Sequence, residues 1–216
     1  MLEHESHGTW CKICGISAAD DADAAQSAGA DALGFNCFPG SPRFVDARQI
    51  AEIAEIASTV SIASVALFVD AKLDEVERVL SVADIDLLQF HGDEEESFCA
   101  GFGLPYMKTR RMADDVDIYA FAERYHSAWA LLLDAYHPRL VGGTGEKFDW
   151  RRWHDVDGRR LVLAGGLTPD DVGGAITQTR PFGVDVCGGV EGSVKGCKDH
   201  QKVAQFVRAC KENLEQ

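Results

Sequence analysis

The chain has 216 residues, 46% of them hydrophobic, and its 35 acidic and 21 basic side chains give a formal charge of -14. That size suits one substantial soluble domain; no apolar run approaches the ~20 residues of a membrane helix, and the acidic balance argues against nucleic-acid or anionic-membrane partners, which need clustered positive charge. The start, MLEHESHGTW, has neither the basic residues nor the apolar stretch of a secretory signal, so a cytoplasmic address is expected.

Residues 1–9 read as a poorly ordered N-terminal extension and residues 10–216 as one catalytic domain. Within that domain, short β-type runs alternate with helix-type runs. WCKIC (10–14) leads into a helical stretch at 18–28, ADALGF (30–35) into 47–57, and SIASVALFV (61–69) into 73–82. IDLLQF (85–90) precedes 94–100, PYMKTR (105–110) precedes 118–125, and AWALLLD (128–134) has only a short helical piece near Trp150. LVLA (161–164) precedes 169–176, and GVDV (183–186) precedes a last helix over about 198–213. Strand–helix alternation means a parallel sheet. Eight such units in this length predict a single-domain α/β fold, a (β/α)8 barrel with eight parallel strands. A doubly wound open sheet is the competitor, but no GxGxxG follows the first strand.

Barrels of this kind carry their active groups at the C-terminal ends of the strands and in the loops that follow. Here that rule picks out Cys14, Arg43 in the loop after strand 2, Gln89 and His91, Asp134, and Asp185. Strands 7 and 8 run into the glycine pairs Gly165-Gly166 and Gly188-Gly189. Those pairs are either tight turns or a phosphate cradle, because glycine lets backbone N–H groups close on an oxyanion.

Strand alternation puts Lys12 and Cys14 on one face and Cys11 and Ile13 on the other. Cys14 is then either a small apolar plug or a thiol whose pKa a nearby lysine lowers so that its thiolate can act as a base. The first and last cysteines of CKIC would lie about 10 Å apart on a strand, too far for a disulfide or a shared zinc. With seven cysteines and no secretion signal, reduced thiols are expected. Asp134, closing three leucines, is either a hydrogen-bonded strand end or a general acid. The glycine-rich turn Gly142-Gly143-Thr144-Gly145 is either a connector or a flap that closes over substrate. His91 either lines the pocket or serves structure, and Asp185 either meets a ribose hydroxyl or caps its strand. His137, His154 and His200 follow no ligand spacing, so no metal is expected.

Taken in order, KICGI (12–16), GF (34–35) with SPRFV (41–45), QFHGDE (89–94), LLDAY (132–136), GGTG (142–145), FDW (148–150), LAGGLTP (163–169) and GVDV (183–186) resemble phosphoribosylanthranilate isomerase of tryptophan biosynthesis. The resemblance implies an Amadori rearrangement of N-(5'-phosphoribosyl)anthranilate, with no cofactor and a small-molecule substrate as the only partner. By that resemblance Asp134 is the general acid, Cys14 the base, and Arg43 the partner of the anthranilate carboxylate; the protein is a monomer or a homodimer. A donor for ring opening must keep its proton near neutral pH, which a poorly solvated strand end favours. Arginine's planar fork suits a carboxylate better than lysine does.

One departure concerns the phosphate side: the family often has Ser-Ser-Gly where this chain has Cys187-Gly188-Gly189. The nearest rival, a histidine-pathway or dual-substrate isomerase, resembles a pair of aspartates rather than Cys14 with Asp134. A binder of phosphorylated ligands without turnover has no use for an acid and a base in one pocket.

Overall fold

The computed structural model describes residues 8–57, 62–113, 116–135 and 150–212. Eight strands, β1 Trp10–Cys14, β2 Ala32–Asn36, β3 Ala63–Phe68, β4 Leu87–Phe90, β5 Tyr106–Met112, β6 Ala130–Ala135, β7 Leu161–Ala164 and β8 Gly183–Val186, close into a parallel barrel in sequence order. The expected (β/α)8 barrel is therefore the observed one. Around it lie α1 Ala19–Ser27, α2 Ala47–Ala57, α3 Leu73–Leu80, α4 Glu96–Cys99, α5 Ile118–Arg124, α6 Val172–Thr179 and α7 His200–Glu212. Between β6 and β7, a 3-10 turn at Trp150–Arg152 stands where a short helical piece was expected. The glycine-rich turn 142–145 lies outside the described residues.

Local chemistry explains where the helices start. Asp46 Oδ1 accepts from the N–H groups of Arg48 and Gln49, and Gln49 returns a bond to the Asp46 N–H, a reciprocal cap for α2. Asp199 caps α7 by accepting from Gln201 and Lys202. Helices α4 and α6 begin later than the periodicity predicts. Glu94 sends its carboxylate to Lys108 Nζ at 2.9 Å and to the Asp70 N–H at 2.7 Å, so α4 starts at Glu96 rather than 94. Asp171 accepts from the Thr168 N–H at 2.7 Å, closing a turn that delays α6 to Val172.

Strand alternation sorts the core into two layers. Outward-facing residues such as Ile13, Leu33, Leu88, Phe90, Leu131 and Leu133 are buried beneath the helices. Phe90 has no exposure and sits with its ring centroid 5.8–6.2 Å from those of Phe68, Phe98, Phe102 and Tyr106. Each such side chain contributes roughly 1.5–3 kcal/mol by leaving water. Inward-facing Trp10, Ala32, Val65, Leu87, Met107, Leu132 and Val162 fill the barrel. Trp10, Trp129 and Phe182 plug its N-terminal end, with centroids 5.5–6.2 Å apart.

The filling changes character up the barrel. Above the apolar layers, Lys12, Gln89, Thr109 and Asp185 are all buried, and Cys14, His91 and Asp134 follow at the C-terminal mouth. Residues 1–7 of the expected extension lie outside the described residues. Gly8 and Thr9 are buried, and the Thr9 N–H donates to the Cys210 carbonyl, so packing begins ahead of the boundary expected at residue 10.

Candidate active site

The mouth holds a cleft of about 320 Å³. Cys14, Arg43, His91, Asp134, Asp185 and the glycine pairs 165–166 and 188–189 all line it. The sequence thus brings to one place every expected site residue that falls among the described ones. A larger hollow of about 470 Å³ between β5 and α5 shares only His91 with the cleft. Two of its cations already have partners, Lys108 on Glu94 and Arg124 on Glu95. The cleft, with both the thiol and the carboxyl, is the candidate site.

Lys12 is the residue around which this site is organised. It has no exposure, and its ammonium meets Asp185 Oδ1 at 2.9 Å and touches the Cys14 thiol. Burial opposes the charge on Lys12, yet the two anionic neighbours outweigh it and its pKa is raised. A hydrogen bond from Cys187 holds the Cys14 thiol well below its usual range, opposed by burial and reinforced by Lys12 and Lys198. The same bond to Cys14 pushes the Cys187 thiol up. Burial pushes Asp185 up to about 7, although Lys12 pulls the other way. Of the groups around Lys12, Cys14 is therefore the one set to carry the negative charge.

Asp134 sits one residue before the end of β6 and is 7% exposed. Its Oδ2 is 3.3 Å from His91 Nε2. Neither ring nitrogen of His91 makes a well-aligned hydrogen bond among the described residues, so the buried imidazole keeps its donor and acceptor for what enters the cleft. Gln89, on the same face of β4, donates to Thr109.

Arg43 engages Glu191, with Nε to Oε1 at 2.5 Å and Nη2 to Oε2 at 2.9 Å. That pairing uses one edge of the guanidinium. Among the described residues no hydrogen bond engages the other edge, Nη1 and the second Nη2 hydrogen, whose shape suits a planar anion. Burial disfavours the charge on Arg43, but Glu191 more than restores it, and Arg43 with Lys198 holds Glu191 below the usual carboxylate range despite burial. Lys198 Nζ lies 3.6 Å from Glu191 and donates to the Cys187 carbonyl at 3.1 Å. Gly189 must be glycine because a Cβ there would come within 1.8 Å of the Leu167 carbonyl oxygen. The β7 and β8 turns are thus packed backbone against backbone.

Sequence reading missed Glu191, Lys195 and Lys198. The loop bearing them, 191–198, follows the last glycine pair and carries no motif. Its two lysines in a chain of -14 charge were the only signal available.

A thiol and a carboxyl on separate strands of one mouth suit a reaction that moves protons about a small anionic molecule. The fold and site together define a (β/α)8-barrel isomerase. The sequence model of the N-(5'phosphoribosyl)anthranilate (PRA) isomerase family matches residues 11–209, and the chain belongs to that family. It is 48% identical over 196 residues to the N-(5'-phosphoribosyl)anthranilate isomerase of Cellvibrio japonicus, covering 91% of this chain and 90% of that one. Phosphoribosyl anthranilate isomerase from Thermus thermophilus superposes with a TM-score of 0.82 at 32% identity, covering 93% of this chain and 98% of the other. A phosphoribosyl anthranilate isomerase solved in complex with reduced 1-(o-carboxyphenylamino)-1-deoxyribulose 5-phosphate superposes at 0.77 with 29% identity, covering 94% and 98%. Family membership bears out the expected enzyme, an isomerase of tryptophan biosynthesis.

Proposed function

We propose that this cleft converts N-(5'-phosphoribosyl)anthranilate to 1-(o-carboxyphenylamino)-1-deoxyribulose 5-phosphate, with Asp134 as general acid and Cys14 as general base. The observation that carries the assignment is the placing of Cys14 between Lys12 and Cys187, in the same cleft as the Asp134–His91 pair. Asp134 gives its proton to the ribose ring oxygen, the ring opens, and the nitrogen lone pair forms a Schiff base. The Cys14 thiolate takes the C2' proton, and the resulting enolamine tautomerises to the ketone. His91, 3.3 Å from Asp134, offers its unpaired ring nitrogens to the opened sugar.

The remaining polar groups divide the substrate's two anions between them. The free edge of Arg43 takes the anthranilate carboxylate. Gly165, Gly166, Gly188 and Gly189 offer backbone N–H groups to the phosphate, with Lys195 on the same cleft wall adding positive charge. Asp185 stands beneath the sugar and holds Lys12 in place. We assign the protein to the cytoplasm, acting as a monomer or a homodimer on a small molecule without cofactor or metal. No helix among the described residues is long and apolar enough to cross a membrane.

The deciding measurement follows the loss of anthranilate fluorescence when purified protein meets freshly made phosphoribosylanthranilate. Wild type is expected to consume it, and Asp134→Asn to lose about 10²–10⁴ in turnover with KM little changed. A wild type that binds the compound without consuming it, or an Asp134→Asn variant as fast as wild type, would remove the assignment.

A further inference from the structure

Cys187 has a second use for its thiol. The β1–β8 register pairs Ile13 with Val186, so Cys14 and Cys187 are the next residues along two adjacent parallel strands. Neighbouring strands run about 4.8 Å apart, inside the Cα separation of roughly 4.4–6.8 Å that a disulfide spans. Both residues line the cleft, and each thiol acts electrostatically on the other.

We propose that Cys14 and Cys187 are a dithiol modification site: a hydroperoxide entering the cleft oxidises Cys14, and Cys187 resolves the product as a reversible Cys14–Cys187 disulfide. The loss of activity that this causes rests on the reading of Cys14 as the base; the covalent site does not.

The chemistry needs a thiolate, access and a resolving thiol. Lys12 touches Cys14, and Lys198 Nζ lies 3.9 Å from the Cys187 sulfur, so cations flank the pair from both sides. The cleft of about 320 Å³ admits a peroxide easily. Cys187 is partly exposed. The other neighbouring thiols, Cys11 and Cys210, are fully buried outside the barrel lining. Burial pushes the Cys37 and Cys99 thiols up to about 12. Selectivity for the cleft pair over these four thiols follows from these differences, while Cys197 is exposed and is read separately in the peptide map.

In the first step the Cys14 thiolate attacks one peroxide oxygen. An S–O bond forms, the O–O bond breaks, and the departing oxyanion takes up a proton; sulfur loses the two electrons that the peroxide gains. In the second step the Cys187 sulfur attacks the Cys14 sulfenic sulfur. An S–S bond forms, the S–O bond breaks, and hydroxide leaves as water with the Cys187 proton. A dithiol reductant reverses the result by exchange.

The test treats the full-length protein with hydrogen peroxide, blocks free thiols and maps the peptides by mass. Wild type is expected to yield a peptide pair joining residues 14 and 187, short of two hydrogens, and to lose at least roughly tenfold in activity, restored by dithiothreitol. In Cys187→Ser, checked for folding by thermal melting, Cys14 is expected to advance to sulfinic acid and the loss to resist dithiothreitol. An active wild type whose Cys14 becomes sulfinic without any link to Cys187, as in the variant, overturns the proposal, as does a preferred link elsewhere. A protein that forms the 14–187 link but never consumes phosphoribosylanthranilate overturns the isomerase assignment of this cleft and upholds the dithiol site.

Discussion

Lys12 and Asp185 are register partners across the seam that closes the barrel, and their side chains meet at 2.9 Å although 173 residues separate them. One fully buried cation thus serves two groups, the carboxylate on β8 and the thiol two residues further along its own strand. A buried lysine is costly unless its charge is matched. Here the match sets the ammonium beside the Cys14 thiol as well, so the closure of the fold and the proposed base share one cation.

Replacing Lys12 with methionine keeps the stem and removes the charge. Without it, the Cys187 hydrogen bond and the charges of Lys198 and Arg43 remain to favour the Cys14 thiolate. The pH at which iodoacetamide reacts with Cys14 is expected to move up toward the ordinary thiol value of about 8.5. Turnover at neutral pH should fall by about 10²–10³. An unmoved alkylation profile would mean that Lys12 serves Asp185 alone.

Asp185 gives a stability prediction with a definite sign. Its carboxyl ionises near 3.8 in an open chain and is pushed up to about 7 in the fold. Between those values the folded state holds a proton that the unfolded chain has released. Stability therefore declines as pH rises through that window and levels off above it. Lys12, with its pKa raised, keeps its charge throughout and adds no slope there. Asp185→Asn should flatten the decline, read as a smaller difference between urea midpoints at about pH 4.5 and about pH 7.5. A variant with the wild-type slope would place the proton elsewhere.

The strands were the most legible part of the chain. WCKIC, LVLA and GVDV are strands over the same residues that the sequence predicts, because strands buried on both faces are mostly apolar, broken here only by the site residues Lys12 and Asp185. Helix starts were less legible where a side chain had a distant appointment, as with Glu94 and Lys108. Cys14, His91, Asp134 and Asp185 could be placed from strand ends alone. The pairs that tune them could not: Arg43 with Glu191 and Lys12 with Asp185 lie 148 and 173 positions apart, and no local pattern encodes such a contact.

Gly34 tests how tightly the thiol and lysine are held. A Cβ there would lie 2.8 Å from Lys12 Cε and Nζ and 2.9 Å from the Cys14 sulfur, all of them buried. Gly34→Ala is expected to cost about 1–3 kcal/mol and to lower kcat at least tenfold. Gly101→Ala, with nothing within 4 Å of its Cβ, is the control and should change neither. Calorimetry and the fluorescence assay read both outcomes, and equal behaviour of the two variants would mean that the pair has room to shift.

The proposed pairing of Arg43 with the substrate's carboxylate gives the last prediction. Its Nε and Nη2 are committed to Glu191, so the guanidinium is fixed in plane before any ligand arrives. A lysine can answer either Glu191 or a ligand with its single ammonium, but cannot offer a fork to both at once. Arg43→Lys should therefore raise KM by roughly 10- to 100-fold while leaving kcat within a few-fold, because the carboxylate is bound alike in substrate and transition state. Glu191→Gln keeps the shape and removes the charge that holds the plane, so a smaller rise in KM is expected, together with a stability loss of about 1–3 kcal/mol. Benzoate, which carries the carboxylate without the sugar phosphate, separates the explanations by inhibition. If benzoate inhibits wild type and Arg43→Lys equally, Arg43 is not the carboxylate's partner and its role is confined to anchoring the 191–198 loop.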